Sequence, residues 1–188
     1  MTAPKGRAEV KRALLDAAAE LLAERGPEAV SVRDVAARAV VNHGLVHRHF
    51  GSKRELVRAV MADLTEKLAA EVQALPPTTM PTALATTAEA SVYWRVLARA
   101  LLDGIDPREL QGGFPVVRML LERAAEAQRA GLLRRDVDAR LLTATGLALG
   151  LGWLLFEPFV LAATGLRRRD RARLRGEALS LFLRAAAP

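Results

Sequence analysis

Residues 31–50 read SVRDVAARAVVNHGLVHRHF and contain two short helical patterns with a break between them. Ser31 is a favourable residue at a helix N-terminus, because its hydroxyl can accept a hydrogen bond from an unpaired backbone N–H. Asp34 stands three positions later, at the spacing of a capping box, with Asp in place of the usual Glu. This spacing predicts a short helix over about residues 32–39, with Val35 turned toward the core.

A second short helix is predicted over residues 43–50, where Asn42 can serve as the N-cap. Val46 and Phe50 lie four residues apart, so both can face the core from one side of the helix. Two short helices joined by a tight turn are the elements of a helix–turn–helix DNA reader, whose second helix lies in the major groove. The residues available to DNA are then His43, Gly44, Leu45, His47 and Arg48.

Longer helical patterns flank this pair. The first runs from about residue 6 to residue 25 and ends at Gly26-Pro27, where glycine suits a helix cap and proline prevents continuation. Ser52 can cap a long helix whose apolar stripe is Leu56, Val60, Leu64, Leu68 and Val72. Further helices are predicted over 81–102, 114–130, 137–156 and 170–186, with a loop over 103–113. Strand patterns are weak, so the predicted fold class is all-α, with about nine helices.

The chain has 188 residues, a net charge of +7 and no cysteine. The missing cysteine excludes a disulfide framework, a thiolate metal site and a cysteine nucleophile, and it suits a reducing cytoplasm. The start of the chain lacks a signal-peptide pattern, so we expect a cytoplasmic protein. The charge is +3 over residues 1–68, −1 over 69–166 and +5 over 167–188. A basic chain suggests a polyanionic partner without saying which.

Three runs carry a family resemblance: SVRDVAA from Ser31, VNHGLVHRHF from Val41 and GSK from Gly51. Over roughly residues 8–60 the chain resembles the TetR family of tetracycline-repressor-like transcription regulators. The resemblance implies a three-helix DNA-binding head at residues 1–52 and a helical effector-binding and dimerisation body at residues 53–188. It also implies a homodimer that represses transcription at a two-fold-related DNA operator and is released by a small, mostly apolar ligand.

The same resemblance implies which residues touch DNA. Phosphate contacts fall to Ser31 or Val32, His47, His49 and Lys53. Contacts to base edges or the groove fall to Arg33, His43, Gly44 and Leu45, with Arg48 as a further candidate and Asn42 beside them at the helix start.

Three positions depart from the family pattern. Val40 stands where the turn usually has glycine, and a β-branched residue is unfavourable at a positive φ angle. The turn is therefore altered, or it is strained, or Val40 has an ordinary conformation. Asn42 replaces the usual Ser or Thr cap, which is chemically acceptable. His47 replaces a tyrosine that touches phosphate, and histidine also donates to phosphate, better when it is protonated.

Large side chains of the second half are the candidates for an effector pocket. They are Trp94, Phe114, Met119, Trp153, Phe156 and Glu157. Ordinary core packing explains each apolar member equally well. Glu157 is the most distinctive, because in apolar surroundings it could recognise a polar or cationic group, or it could lie at a helix end in solvent.

Residues 141–166 contain a single charge, Glu157, and are long enough to span a membrane. Pro158 and three threonines oppose that interpretation, and the TetR resemblance favours a soluble protein that buries this helix at a dimer interface. The arginine cluster of residues 167–175 could touch DNA or anionic lipid, although a solvated helix face is favoured. A membrane-surface helical protein that uses both segments is therefore the alternative function, and a membrane partner is not expected.

Two chemical alternatives are disfavoured. His43, His47 and His49 could be metal ligands, but cysteine is absent and no motif positions a nearby acid. No set of nucleophile, base and orienting group is visible in the sequence. We therefore expect no metal, no cofactor and no enzymatic activity. The expected partners are a double-stranded DNA operator, a small-molecule effector and a second copy of the chain.

Overall fold

The computed structural model describes residues 4–73, 88–166 and 171–187, and every regular element in these ranges is an α-helix. The nine helices are α1 (Arg7–Arg25), α2 (Val32–Arg38), α3 (Gly44–Phe50), α4 (Lys53–Gln73), α5 (Ala88–Leu102), α6 (Pro107–Leu110), α7 (Pro115–Arg129), α8 (Ala139–Thr164) and α9 (Arg171–Ala185). The all-α fold class is confirmed. Of the predicted helices, residues 81–87 and residue 170 lie outside the described residues.

The short helix α6 corrects the loop predicted over 103–113. Asp106 caps it by accepting a hydrogen bond from the N–H of Arg108 at 2.8 Å. Pro107 occupies the first turn, where its missing N–H costs nothing and its fixed φ angle suits a helix. Asp106 followed by Pro107 is thus a helix start, although the Gly, Pro and Asp content of this stretch predicted a loop.

Helix α8 is longer than predicted. Asp138 opens it by accepting a hydrogen bond from the N–H of Arg140 at 2.6 Å. The helix continues through Pro158 to Thr164, whereas the sequence predicted an end at residue 156. Proline removes one backbone hydrogen bond but does not end a helix whose flanking turns are held by packing.

The described residues form two compact units. The first contains the described parts of Met1–Lys67 and Val92–Gly113, and the second contains those of Leu68–Ser91 and Phe114–Pro188. These units describe packing. The functional division into a DNA-binding part at 1–52 and an effector-binding part at 53–188 stays a prediction.

The core of the first unit is formed by the apolar sides of α1 to α5. Helix α2 packs on α1 and on α3. The fully buried side chains include Leu14, Leu21 and Leu22 of α1, Val35 of α2, Val46 of α3, Val60 and Met61 of α4, and Tyr93 and Val96 of α5. Each buried leucine or valine stabilises the fold by roughly 2 kcal/mol. The two short helices therefore depend on this shared core, since neither is long enough to be stable alone.

An ion-pair cluster links α1 to α4 in the first unit. The Arg12 guanidinium binds both carboxylate oxygens of Asp63, with one contact of 2.8 Å, and it also pairs with Asp16 at 2.8 Å. Lys67 lies 3.2 Å from Asp63 and 3.5 Å from Asp16. The Arg12 hydrogen bonds are the largest cause of the lowered pKa of Asp63. Because Arg12 binds both carboxylate oxygens of Asp63, the pair determines which sides of α1 and α4 face each other.

In the second unit, α8 packs against α7 and α9. Gly146 permits a close approach of Phe182, because a Cβ atom at Gly146 would lie 3.3 Å from its ring. Glu157 of α8 is 4% exposed and accepts hydrogen bonds from Arg175 of α9 at 2.8 and 3.2 Å. A buried carboxylate needs such a partner, and this pair joins α8 to α9.

Candidate nucleic-acid interface

The capping box at the start of α2 contains the predicted hydrogen bonds. The Ser31 hydroxyl accepts from the N–H of Asp34 at 3.2 Å and donates to its carboxylate at 2.6 Å, and the Ser31 N–H donates to the same carboxylate at 2.8 Å. Hydrogen bonds from Ser31 lower the pKa of Asp34. Ser31 and Arg33 are exposed, and Val32 is half-buried. The Ser31 hydroxyl and N–H are therefore both engaged within the box, and the DNA contacts at the start of α2 stay a prediction.

The turn between α2 and α3 has the hydrogen bonds of a Schellman motif. The N–H of Val41 donates to Ala36 O at 3.0 Å, and the N–H of Val40 donates to Ala37 O at 3.2 Å. This motif requires a left-handed residue at the position of Val40, whose φ angle is +56°. Of the three alternatives for the turn, the strained one is therefore found. Val40 is 48% exposed, so burial of its side chain does little to offset the strain.

Helix α3 presents the predicted reading side to solvent. It begins at Gly44, one residue later than predicted, and the Asn42 side chain accepts a hydrogen bond from the Gly44 N–H at 2.8 Å. Val46 is buried and Phe50 is half-buried, as their spacing predicts. The exposed residues are Asn42, His43, Gly44, His47 and Arg48, and the half-buried ones are Leu45 and His49.

The histidines of α3 differ in their surroundings. His47 Nδ1 lies 3.0 Å from Gly51 O, and since a carbonyl oxygen can only accept, Nδ1 carries the hydrogen. The His49 ring lies beside Phe50, with centroids 6.2 Å apart. Burial is the largest cause of a lowered pKa at His49, followed by the charges of Arg7, Arg48 and Lys11. Within the described ranges, no three His, Cys, Asp or Glu residues are grouped so that they could hold a metal ion.

Lys53, at the start of α4, lies against the turn between α1 and α2. Its ammonium donates to the Glu28 carbonyl oxygen at 3.3 Å. The Glu28 N–H in turn donates to the Asp103 carboxylate at 2.7 Å. Asp103 was not a candidate from the sequence, because its partner is 75 positions away. The predicted phosphate ligand Lys53 is therefore part of a small network that holds this turn.

Comparisons with known proteins agree with this arrangement. A sequence profile of bacterial regulatory proteins of the tetR family matches residues 14–60. The HTH-type transcriptional repressor Rv3405c of Mycobacterium tuberculosis is 46% identical over 165 residues, which span 87% of this chain and 81% of that protein. The chain belongs to the TetR family.

Solved structures have the same fold. A TetR-family transcriptional regulator from Rhodococcus sp. matches with a TM-score of 0.68 at 19% identity and covers 94% of this chain and 100% of that one. The ketosteroid transcriptional regulator KstR2 of Mycobacterium tuberculosis matches with a TM-score of 0.64 at 19% identity and covers 100% of both chains. These matches establish the fold alone. Together with the sequence relatives, they confirm a helix–turn–helix, DNA-binding transcriptional regulator of the TetR family.

The predicted effector residues of this TetR-family protein are spread over both compact units. Trp94, in the first unit, stands edge to face with the buried Tyr93, at a centroid distance of 4.8 Å. In the second unit, Trp153 Nε1 donates to Glu157 at 3.3 Å, and Arg175 binds the same carboxylate. Met119 is half-buried, and Phe114 and Phe156 are exposed. Glu157 is thus not in solvent, and its carboxylate is engaged by an arginine of the chain itself. The pocket assignment stays a prediction.

A buried polar cluster in the first unit was not predicted. Gln111 Nε2 donates to the Tyr93 hydroxyl at 2.6 Å and lies 3.5 Å from the Thr65 hydroxyl. Thr65 donates to Met61 O at 2.7 Å. Burial raises the pKa of Tyr93, so its hydroxyl stays protonated at physiological pH. The cluster joins α4, α5 and the segment after α6 through residues far apart in sequence, which local patterns do not reveal.

The apolar run of residues 141–166 is largely exposed in the single chain, and its burial at a dimer interface stays a prediction. By length and composition alone, α8 could cross a membrane, with a mean hydropathy of 1.7. Phe156 is 61% exposed, Phe159 is 71% exposed, and Leu181 of α9 is 62% exposed. Apart from the backbone of α8 itself and the adjoining residues, no atom of the described residues lies within 4 Å of the place where a Cβ atom would stand at Gly150 or Gly152. Helices α8 and α9 therefore offer an apolar surface to a further partner.

The arginine cluster of residues 167–175 is described only in part. Arg173 pairs with Glu177 at 2.8 Å, and Arg175 pairs with Glu157. Residues 167–170 and the side chain of Arg171 lie outside the described part of the chain. Where it is described, the cluster is engaged with carboxylates of its own unit.

Proposed function

We propose that the protein is a ligand-responsive repressor. It binds a two-fold-related DNA operator as a homodimer and leaves it when a small, mostly apolar effector binds. The observation that carries the proposal is the two-sided α3: Val46 anchors it in the core, while His43 and Gly44 face solvent at its start. A helix of this kind fits the major groove, because its reading side is not needed by the core. The relative Rv3405c is itself named a repressor.

The homodimer is supported by apolar surface on the second unit. Phe156, Phe159 and Leu181 are large apolar side chains that are exposed on two helices packed against each other, and exposed apolar surface of this kind marks interaction sites. Gly150 and Gly152 leave room for a partner helix to approach closely. In a two-fold dimer, the two copies of α3 would be about 34 Å apart, the length of one DNA turn.

The effector is proposed to be small and mostly apolar, because aromatic residues dominate the candidate lining. KstR2, which shares the fold, is named a ketosteroid regulator, and a steroid ketone is a mostly apolar molecule with few oxygen atoms. Release requires that the effector bind more tightly to a conformation whose α3 spacing does not fit the operator. A regulator of this kind acts in the cytoplasm, where the DNA is.

To test DNA binding, the purified protein first selects a duplex from a random library. Fluorescence anisotropy then compares its affinity for the selected duplex with its affinity for a scrambled duplex. His43→Ala should relax sequence preference by about 1–3 kcal/mol at one position, because a base-edge contact is lost. Lys53→Ala should weaken binding to both duplexes by the same factor, because a phosphate contact carries no sequence information. If neither variant changes binding, the assignment of the reader is wrong.

The dimer is tested by sedimentation velocity. Phe159→Glu places a charge on the exposed side of α8 and should produce monomers. Leu102→Glu is the matched control, since Leu102 is 66% exposed but lies in the first unit. A monomeric wild type, or equal effects of the two variants, would contradict the proposed dimer surface.

Membrane-surface association is the second candidate, favoured by the length and hydropathy of α8 alone. Flotation with anionic lipid vesicles separates the two functions. Wild-type protein should stay in the dense fraction, and Phe159→Glu should not change this. Flotation of the wild type that Phe159→Glu abolishes would favour the membrane.

A further inference from the structure

Arg7 and Lys11 place two positive charges at the start of α1. Arg7 and Lys11 stand one helical turn apart, and both are exposed. Neither side chain has a hydrogen-bond or ion-pair partner among the described residues. Arg12, by contrast, is fully engaged with Asp16 and Asp63 on the same helix and on α4. The first two turns of α1 therefore hold positive charge that no carboxylate of the described chain neutralises.

Helix stability does not explain these residues. The N-terminus of a helix carries the positive end of its dipole, so a cation in the first turn, such as Arg7, is mildly unfavourable there. The first turn also contains Glu9, whose carboxylate accepts a hydrogen bond from the backbone N–H of Lys5. That favourable acid is already present, so the cations add repulsion instead of helix stability.

The charges of Arg7 and Lys11 are felt at one residue of α3, His49. Beyond burial, which is the largest cause, the charges of Arg7, Arg48 and Lys11 lower the pKa of His49 on α3. Arg48 is exposed and, like Arg7 and Lys11, has no ion-pair partner among the described residues. We call Arg7, Lys11 and Arg48 the α1–α3 cationic cluster. Like charges held together without a counter-charge are tolerated best where a polyanion neutralises them.

We propose that Arg7 and Lys11 bind the DNA sugar–phosphate backbone, so that α1 supplies a set of phosphate contacts separate from that of Ser31 and Lys53. This inference rests on the proposed function and adds a contact surface to it. The residues carry no sequence information, because a phosphate contact positions the protein without reading bases. They set affinity and the salt dependence of binding.

The experiment measures binding of full-length protein to the selected duplex and to a scrambled duplex at several salt concentrations. Each phosphate contact contributes about 0.9 to the slope of log K against log salt. Arg7→Gln with Lys11→Gln should therefore reduce the slope by about two for each bound protomer, on both duplexes alike. At about 0.1 M salt this corresponds to a loss of on the order of tenfold for each contact.

The matched control is Arg118→Gln with Arg140→Gln. These residues are also exposed and have no side-chain partner among the described residues, but they lie in the second unit. The control removes the same net charge and should leave the slope within about half a unit of the wild type. A conservative exchange, Arg7→Lys with Lys11→Arg, should also keep the slope, because both charges are retained.

The outcomes separate the two proposals. If the wild type binds DNA and the Arg7→Gln, Lys11→Gln double variant has the same slope as the wild type, this inference alone is overturned. An equal fall in slope in the Arg118→Gln, Arg140→Gln control overturns it too, because net charge would then be the cause. Wild type that binds neither duplex overturns the proposed function, and this inference with it. Equal melting temperatures of all variants exclude loss of folding as the reason.

Discussion

The carboxylate of Asp103 accepts a hydrogen bond from the backbone N–H of Glu28 at 2.7 Å. It thereby joins the segment after α5 to the turn between α1 and α2. Gly26 lies beneath the same carboxylate, since a Cβ atom there would stand 2.8 Å from an Asp103 oxygen. Lys53 holds the Glu28 carbonyl oxygen from the start of α4. The backbone N–H and the backbone carbonyl of Glu28 are thus each held by a side chain from a different part of the first unit.

Gly26→Ala should be strongly destabilising for two additive reasons. Gly26 has φ +86° and ψ +160°, a conformation essentially confined to glycine, and its new Cβ would collide with Asp103. Gly6 is the matched control, with φ +95° and ψ +155°, and apart from its chain neighbours no atom of the described residues lies within 4 Å of a Cβ placed there. We expect Gly26→Ala to lower the free energy of unfolding by at least about 1 kcal/mol more than Gly6→Ala.

Urea denaturation measures both variants. Asp103→Ala in the Gly26→Ala background should recover part of the excess loss, because the collision is removed. Equal losses for the two alanine variants would mean that the Asp103 contact does not form.

The Arg12–Asp63 pair should make stability depend on acid. The folded state lowers the pKa of Asp63, chiefly through hydrogen bonds from Arg12, relative to about 3.9 in an unfolded chain. The unfolded state therefore takes up the proton first, so the contribution is present above about pH 4 and is lost as the pH falls through the lower, folded pKa. Asp63→Asn should cost on the order of 1 kcal/mol at neutral pH, because solvent screens the half-exposed Arg12.

Melting temperatures of wild type and Asp63→Asn from about pH 7 to about pH 3 check this sign. The gap between the two proteins should narrow with acidification. A gap that stays constant over this range would show that the ionised carboxylate does not contribute.

Local sequence patterns were sufficient to predict the helix–turn–helix and most of the helix bounds. The Ser31–Asp34 capping box and the buried Val46 depend on residues a few positions apart, whose chemistry acts within one or two turns. The exposed sides of α2 and α3 followed from the same spacing. The all-α class followed from helical patterns repeated along the chain.

Long-range contacts could not be predicted in this way. Asp103 and Glu28 are 75 positions apart, and Glu157 and Arg175 are 18 apart on different helices, so no local pattern links them. Glu157 therefore looked like a candidate for ligand recognition although a partner arginine lies in the same chain. Pro158 favours a helix end in the sequence, yet α8 continues through it. Packing of α8 against α7 and α9 outweighs the one hydrogen bond that proline removes.

Operator affinity should depend on pH through His47. Its Nδ1–H donates to Gly51 O, so a neutral ring has a lone pair at Nε2, which cannot donate to phosphate. Protonation adds the Nε2–H and a positive charge. Binding should therefore be weaker where the His47 ring is neutral than where it is protonated.

His47→Tyr is the comparison, because a phenol donates to phosphate at neutral and at mildly acidic pH alike. Anisotropy titrations at each pH should give a flatter profile for the variant than for the wild type. Parallel profiles would exclude His47 as the source of the pH dependence.

Val40→Asn should stabilise the protein. Val40 is a β-branched residue at φ +56° whose side chain is half exposed, and asparagine tolerates the left-handed region better. Asparagine also avoids the extra entropy that glycine would add to the unfolded chain. We expect a gain of about 0.5–1 kcal/mol, read from calorimetric melting. A lower melting temperature would indicate that the valine side chain makes a contribution larger than its strain.

In the proposed dimer, the exposed apolar side of α8 would make the amount of protein in the cell a regulatory variable. If this surface is covered only by a second copy, dilution alone lowers the melting temperature, because stability and protomer concentration are then inseparable. While monomers predominate, the abundance of the DNA-competent dimer rises with the square of the protomer concentration. Repression would then set in over a narrower range of expression than a monomeric repressor allows, before any effector is present.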